Sequence, residues 1–203
     1  VGLPALAIAG WWYVRNIQLY GDWSGLGHLT AINGARGEPL TLEDFWPEFR
    51  GLRYSFWGLF GWFNILLPDW FYTLADLLTA VGVVGLILAC VQTVRHAPRP
   101  RLDDTPLRVL GLLLAWAALM FLLLVYWITQ ATGSQGRLIF PGMIAYGPLL
   151  ALGLDFWLRP LPKPLRLGVW AGLLIVLLGV SLYSVAQLLP RPYNAPAPVP
   201  AVA

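Results

Sequence analysis

The chain has 203 residues, of which 58% are hydrophobic and 11% charged, against roughly 45–50% and about 25% in an average soluble domain. A mean hydropathy of +0.67, together with 11 Trp, 17 Pro and 21 Gly, argues against a soluble fold and against bulk disorder, and for an all-α polytopic membrane protein. The 13 basic residues behind the net charge of +3 are scattered between apolar runs, so they form no nucleic-acid-binding stripe and read as topology signals.

About five transmembrane helices are predicted in a single membrane domain, residues 1–189. The first is partial. Residues 1–14 carry no charge and give about 21 Å of helix, short of a hydrocarbon core of ~30 Å, so the chain reads as opening inside a span whose beginning lies upstream. Residues 15–72 then form an extramembrane loop, rich in charge and Gly, followed by an aromatic hairpin. Within the loop Thr41–Phe49 reads as a short amphipathic helix with Thr41 as N-cap, Asp44 as the capping-box acid and Pro47 limiting its length. From Tyr54 to Tyr72, nine of 19 residues are aromatic, a density suited to headgroup depth and to an in-plane or re-entrant hairpin bent at Gly58, Gly61 and Pro68.

Further spans are expected at 73–94, 109–128, 138–154 and 167–189. The Pro- and Ala-rich tail 190–203 should not continue a helix. Arg95, Arg99, Arg101, Arg108, Arg159, Lys163 and Arg166 crowd into two short connections, which places those in the cytoplasm. Loop 15–72, the turn before Arg137 and the tail are then extracytoplasmic, in an inner-membrane protein.

Motifs of soluble enzymes are absent. There is no HExxH, P-loop or GxSxG, and two isolated histidines and one cysteine make neither a metal cluster nor a disulfide. His28 and His96 read as loop residues and Cys90 as a small apolar filler. No cofactor is implied; a divalent metal would lack a ligand cluster. The remaining candidates are polar groups at span ends, where ionisable residues are expensive. On a continuing helix Arg15, Gln18 and Asp22 share a face, and Arg15 with Asn16 offers donors to an anionic headgroup, against the plainer reading of an Arg snorkelling to the interface. At Gln135-Gly136-Arg137 a cation stands where a helix begins, opposing the macrodipole. Backbone N–H groups there, with Gln135 and Arg137, would form an anion-binding corner, the alternative being an interfacial anchor. Asp69 and Asp76 could serve as base or cation ligand, or simply start a helix. Asp155 and Arg159 are spaced as an i,i+4 pair.

The stretches Gly10-Trp11-Trp12-Tyr13-Val14-Arg15-Asn16-Ile17-Gln18-Leu19-Tyr20-Gly21-Asp22, Ser55-Phe56-Trp57-Gly58-Leu59-Phe60-Gly61-Trp62 and Gln135-Gly136-Arg137-Leu138-Ile139-Phe140-Pro141 together resemble the C-terminal membrane half of GT-C-like bacterial proteins. These include the dolichyl-phosphate-mannose-protein mannosyltransferase-like enzymes and related polytopic proteins. The resemblance implies a glycosyltransferase that takes a sugar from a polyprenyl-phosphate carrier at the extracytoplasmic face, with membrane lipid as its surroundings. It implies that Arg137 binds the carrier phosphate and that Arg15 and Asn16 match the family's Arg-Asn pair. It also implies a catalytic acid in an N-terminal half that these residues do not contain, so no catalytic residue is assigned and activity is expected from a longer chain. A non-catalytic accessory or scaffold subunit of a larger membrane complex is the alternative. A transporter ranks below both, because the middles of the spans hold almost no ionisable group.

Overall fold

The computed structural model of the chain describes residues 2–61, 63–96, 105–133 and 135–193. Trp62, Arg99, Arg101, Ser134 and residues 194–203 of the expected tail lie outside them. The elements run α1 (Gly2–Tyr20), α2 (Leu26–Asn33), α3 (Leu42–Trp57), strands β1 (Leu59–Phe60) and β2 (Ile65–Leu66), α4 (Asp69–His96) and α5 (Thr105–Gln130). A 3₁₀ helix (Gly136–Gly142) then leads into α6 (Met143–Leu158), and α7 (Lys163–Tyr183) passes through a π-helical turn (Ser184–Leu188) to α8 (Pro190–Tyr193).

Among the described residues, four stretches are long and apolar enough to cross a membrane: Asp69–Thr93, Pro106–Gln130, Gly136–Leu158 and Lys163–Leu188. They make the chain an all-α, multi-pass membrane protein. About five were expected, and α1 is not among the four. It is helical over 19 residues, but Trp11, Trp12, Tyr13, Arg15, Asn16 and Gln18 dilute its second half.

Three local expectations change. Thr41 and Asp44 do form the capping box: Asp44 Oδ2 accepts from the Thr41 N–H at 3.0 Å and the Asp44 N–H donates back to Thr41 Oγ1 at 3.3 Å. Pro47, however, does not limit the helix, which continues to Trp57. A proline near the start removes one i→i−4 bond, and the ten residues beyond it keep their own. His28 stands in α2, stacked on Tyr20 at 4.5 Å, and His96 closes α4, so neither is a loop residue. Finally, Pro190–Tyr193 forms a short helical turn, where proline can occupy a first position without losing a bond.

The chain divides into two compact units, Val1–Gly51 with Leu122–Ser134, and Leu52–Phe121 with Gln135–Ala203. In the first, the loop after α2 is tied to the end of α5. Ala35 and Ala131 form a β-bridge, the Arg36 N–H donates to the Gln130 carbonyl at 3.0 Å, and Ala131 is fully buried. The Arg36 side chain, 8% exposed, is neutralised by Glu48. Its Nε donates to the Ile128 carbonyl at 2.9 Å, and Glu48 also accepts from the Gly133 N–H at 3.3 Å. A buried guanidinium needs this full set of acceptors.

In the second unit α4 and α6 pack backbone to backbone. A Cβ on Gly153 would lie 1.8 Å from the Gly82 carbonyl oxygen, and one on Gly85 would lie 2.0 Å from that of Gly153. Water is not there to drive such helices together, so close approach through small residues is the main source of cohesion. Trp157 uses the space, its indole N–H donating to the Val81 carbonyl at 3.0 Å. Ala117, Ala145 and Leu149 form an adjoining core, and the Tyr146 hydroxyl donates to the Ala117 carbonyl at 2.8 Å. A second core lies beneath the hairpin, where Leu67, Phe71 and Tyr72 pack with Tyr54, Trp57 and Phe60. There the Tyr72 hydroxyl accepts from the Leu67 N–H at 3.0 Å and donates to the Gly58 carbonyl at 2.5 Å.

Candidate functional site

The aromatic hairpin is a pair of two-residue antiparallel strands, Leu59 opposite Leu66 and Phe60 opposite Ile65. Gly61 and Phe63 both carry positive φ, 63° and 60°. That conformation is ordinary for Gly and strained for Phe, and it holds the Phe63 ring out at the tip, 44% exposed.

Two of the three motif stretches meet in this unit. The Ser55 hydroxyl accepts from the Gly136 N–H at 2.6 Å, and the Phe56 and Phe140 rings stand edge to face at 6.1 Å. Gly136 is obligatory, because a Cβ there would lie 2.3 Å from the Phe56 backbone nitrogen. The Gly of the Gln-Gly-Arg element is thus explained by close backbone approach.

The same contacts correct the expected anion corner. The Gly136 N–H is taken by Ser55, the Leu138 N–H is taken by the Gln135 carbonyl at 3.0 Å, and the element that begins here is a seven-residue 3₁₀ helix. Two of the corner's backbone donors are therefore spent. What the corner offers is the Arg137 side chain. It is exposed, its Nε donates to Gln135 Oε1 at 2.6 Å, and its guanidinium carbon lies 5.7 Å from the Phe63 ring centroid. Gln135 and Phe63 orient the fork on an edge and a face. The two terminal nitrogens stay available, with no carboxylate paired to Arg137 among the described residues.

The neighbouring cation is different. Arg53 is gripped by Asp76, with Nε to Oδ1 at 2.9 Å and Nη2 to Oδ2 at 2.6 Å, and lies over the Tyr54 and Tyr72 rings at 5.1 and 5.6 Å. Bonding to Asp76 raises the Arg53 pKa above its ordinary value. Asp76 is occupied in that pair, while Asp69 opens α4 in its first turn. Among the described residues no three His, Cys, Asp or Glu side chains come together.

In the other unit Arg15 is exposed on α1, with Gln18 one turn on along the same helix as expected, but Asn16 and Asp22 are committed elsewhere. Asn16 is 2% exposed. Its amide donates to the Trp23 carbonyl at 3.4 Å, and Gly25 sits close enough that a Cβ would lie 3.3 Å from Asn16 Nδ2. It holds a turn and has no surface to offer a ligand. Asp22 leaves the Arg15 face because α1 ends at Tyr20 and Gly21 turns the chain at φ 69°. Its carboxylate caps the turn into α2, accepting from the Gly27 N–H at 3.1 Å and the Ser24 N–H at 3.0 Å. Those bonds, Gly27 first, lower its pKa below the usual carboxylate value, and a Thr41 N–H does the same for Asp44.

Asp155 does not pair with Arg159. Its two oxygens take the fork of Arg166, Nε to Oδ1 at 2.7 Å and Nη2 to Oδ2, while Arg159 lies over the Phe156 ring at 5.5 Å. Side-on bidentate geometry outcompetes a single i,i+4 contact. Sequence reasoning missed both this pair and the Arg36–Glu48 pair, since neither spacing is a helical one. Comparison with protein-family models, with curated proteins and with solved structures finds no match to this chain.

Proposed function

We propose that the chain is the membrane segment of a GT-C-like glycosyltransferase that uses a polyprenyl-phosphate-linked sugar at the extracytoplasmic face of the inner membrane. The observation that supports this reading is the exposed guanidinium of Arg137, oriented by Gln135 and Phe63 and left without a carboxylate among the described residues. Where Arg36, Arg53 and Arg166 are each neutralised, Arg137 keeps two nitrogens for the two oxygens of a phosphate. In transfer from a phosphate-linked donor, negative charge grows on the departing phosphate, and a fixed guanidinium stabilises it. Arg137 is the phosphate-binding residue of this proposal and Gln135 its positioning residue.

Sidedness follows from charge. If each of the four stretches crosses once, Arg95, Arg108, Arg159, Lys163 and Arg166 share one side and Arg137 lies on the other. The denser basic side is the cytoplasmic one.

The test is binding of a short-chain polyprenyl phosphate to the detergent-purified protein and to Arg137→Ala. The proposal expects a loss of about 1.5–3 kcal/mol, the range for a charge-assisted contact, with unchanged thermal stability. Equal binding by the two proteins would make Arg137 an interfacial anchor and leave the accessory-subunit reading in its place.

A further inference from the structure

At the far end of the Gly136–Leu158 span from Arg137, the turn between α6 and α7 encloses an open cleft of about 480 Å³, lined by Asp155, Leu161, Lys163, Arg166, Leu167 and Trp170. That volume lies within the roughly 300–1,000 Å³ of pockets that hold a small ligand. We propose that this cleft binds the headgroup of an anionic phospholipid.

Three observations carry it. The first is charge: Lys163 and Arg166 set against Asp155 leave the cleft a net +1 by formal count, and Lys163 has no carboxylate partner among the described residues. The second is donor geometry. Asp155 engages Nε and Nη2 of Arg166, which leaves Nη1 of a guanidinium already fixed in place, so a phosphate oxygen meets a donor that loses little freedom on binding. Third, the cleft opens where two apolar helices end, and its other walls are Leu161, Leu167 and Trp170. Trp170 points its indole N–H toward Asp155 Oδ1 at 3.5 Å, the mixed apolar and polar environment that Trp occupies at headgroup depth. A lipid enters such a cleft from the membrane plane, its phosphate on the cations and its glycerol and upper acyl carbons on the leucines. Basic pockets between spanning helices are suited to anionic headgroups, whereas a zwitterionic headgroup carries its own cation and gains less.

Native mass spectrometry of the detergent-released protein, titrated with phosphatidylglycerol and in parallel with phosphatidylcholine, tests this. The expected result is tighter retention of phosphatidylglycerol, by about tenfold, reduced severalfold in Lys163→Ala, retained in Lys163→Arg and unchanged on loss of an exposed cation outside the cleft, in Arg50→Ala. Equal retention of the two lipids, or a Lys163→Ala protein that binds as well as wild type, would overturn it. So would an equal loss of binding in Arg50→Ala, which would make retention a response to any lost cation and not to the cleft. Glycerol phosphate added as competitor separates the sources: if it displaces the lipid at equal concentration, the cleft is a site for soluble phosphate esters and the lipid proposal falls.

Discussion

The two ends of the Gly136–Leu158 span treat arginine in opposite ways. At one end Arg137 is aimed by an amide and an aromatic ring and keeps its charge uncompensated. At the other, Arg166 is locked onto both oxygens of Asp155. Both are polar groups at the end of an apolar helix, so composition and depth do not distinguish them. The difference lies in the partner: a neutral partner orients a cation for something else, whereas a carboxylate consumes most of its field.

The largest expected effects come from breaking the two ends at their glycines. Gly153→Ala puts a methyl 1.8 Å from the Gly82 carbonyl oxygen, and backbone on a packed helix cannot yield as a side chain would. Destabilisation at or above the ~1–3 kcal/mol of ordinary overpacking is expected, read by SDS-induced unfolding in mixed micelles. Gly136→Ala meets the Phe56 backbone at 2.3 Å and should destabilise by a similar amount while also weakening phosphate binding through displacement of Arg137. A Gly136→Ala protein with wild-type stability would refute the close approach.

A smaller effect sharpens the contrast. Asp155→Asn should lower stability by only about 0.5–1 kcal/mol, since the pair is partly exposed and screened, and the loss should shrink further in high salt. The same change raises the formal charge of the cleft and should tighten phosphatidylglycerol retention in native mass spectrometry. If retention falls instead, the carboxylate is needed to hold Arg166 in place.

The smallest effect belongs to the first unit, where a carboxylate meets amides and no guanidinium. The pKa of Asp22 is lowered by the Gly27 and Ser24 N–H groups, so its contribution is present above the unfolded carboxylate value of about 3.9 and is lost as pH falls through the lower folded value. Amide exchange at Gly27 should therefore stay protected at pH 5 and lose protection, after correction for intrinsic rates, in the acid range below 4. Asp22→Asn should abolish that dependence.

Much of the architecture is legible in the residues. Apolar runs of spanning length fix the helical class, and Thr41 with Asp44 announces a helix start that is realised in both directions. The limits are physical. Pro47 suggests an ending that the rest of α3 overrides, and α1 is helical without the hydropathy of the other four. At the candidate site the Gln-Gly-Arg element is conspicuous in sequence as a misplaced cation, yet the role of its glycine depends on Phe56, 80 residues earlier. Nothing in local spacing signals that Asn16 is buried in a turn, that Arg36 reaches Glu48, or that Asp155 prefers Arg166 to Arg159. These are choices made by tertiary packing between groups that no helical period relates.

The glycine contact between α4 and α6 has a mechanical consequence. With a carbonyl oxygen on each helix occupying the space where the other's side chain would be, and Trp157 pinned to Val81, the two helices have no slack for sliding past one another. They behave as one strut. Any rearrangement accompanying ligand arrival must then be taken up away from this pair, first by the more loosely packed α7, only 6% of whose most apolar stretch is buried. A spin label on α4 and another on α6 should keep a constant separation through every liganded state, and a pair on α4 and α7 should not.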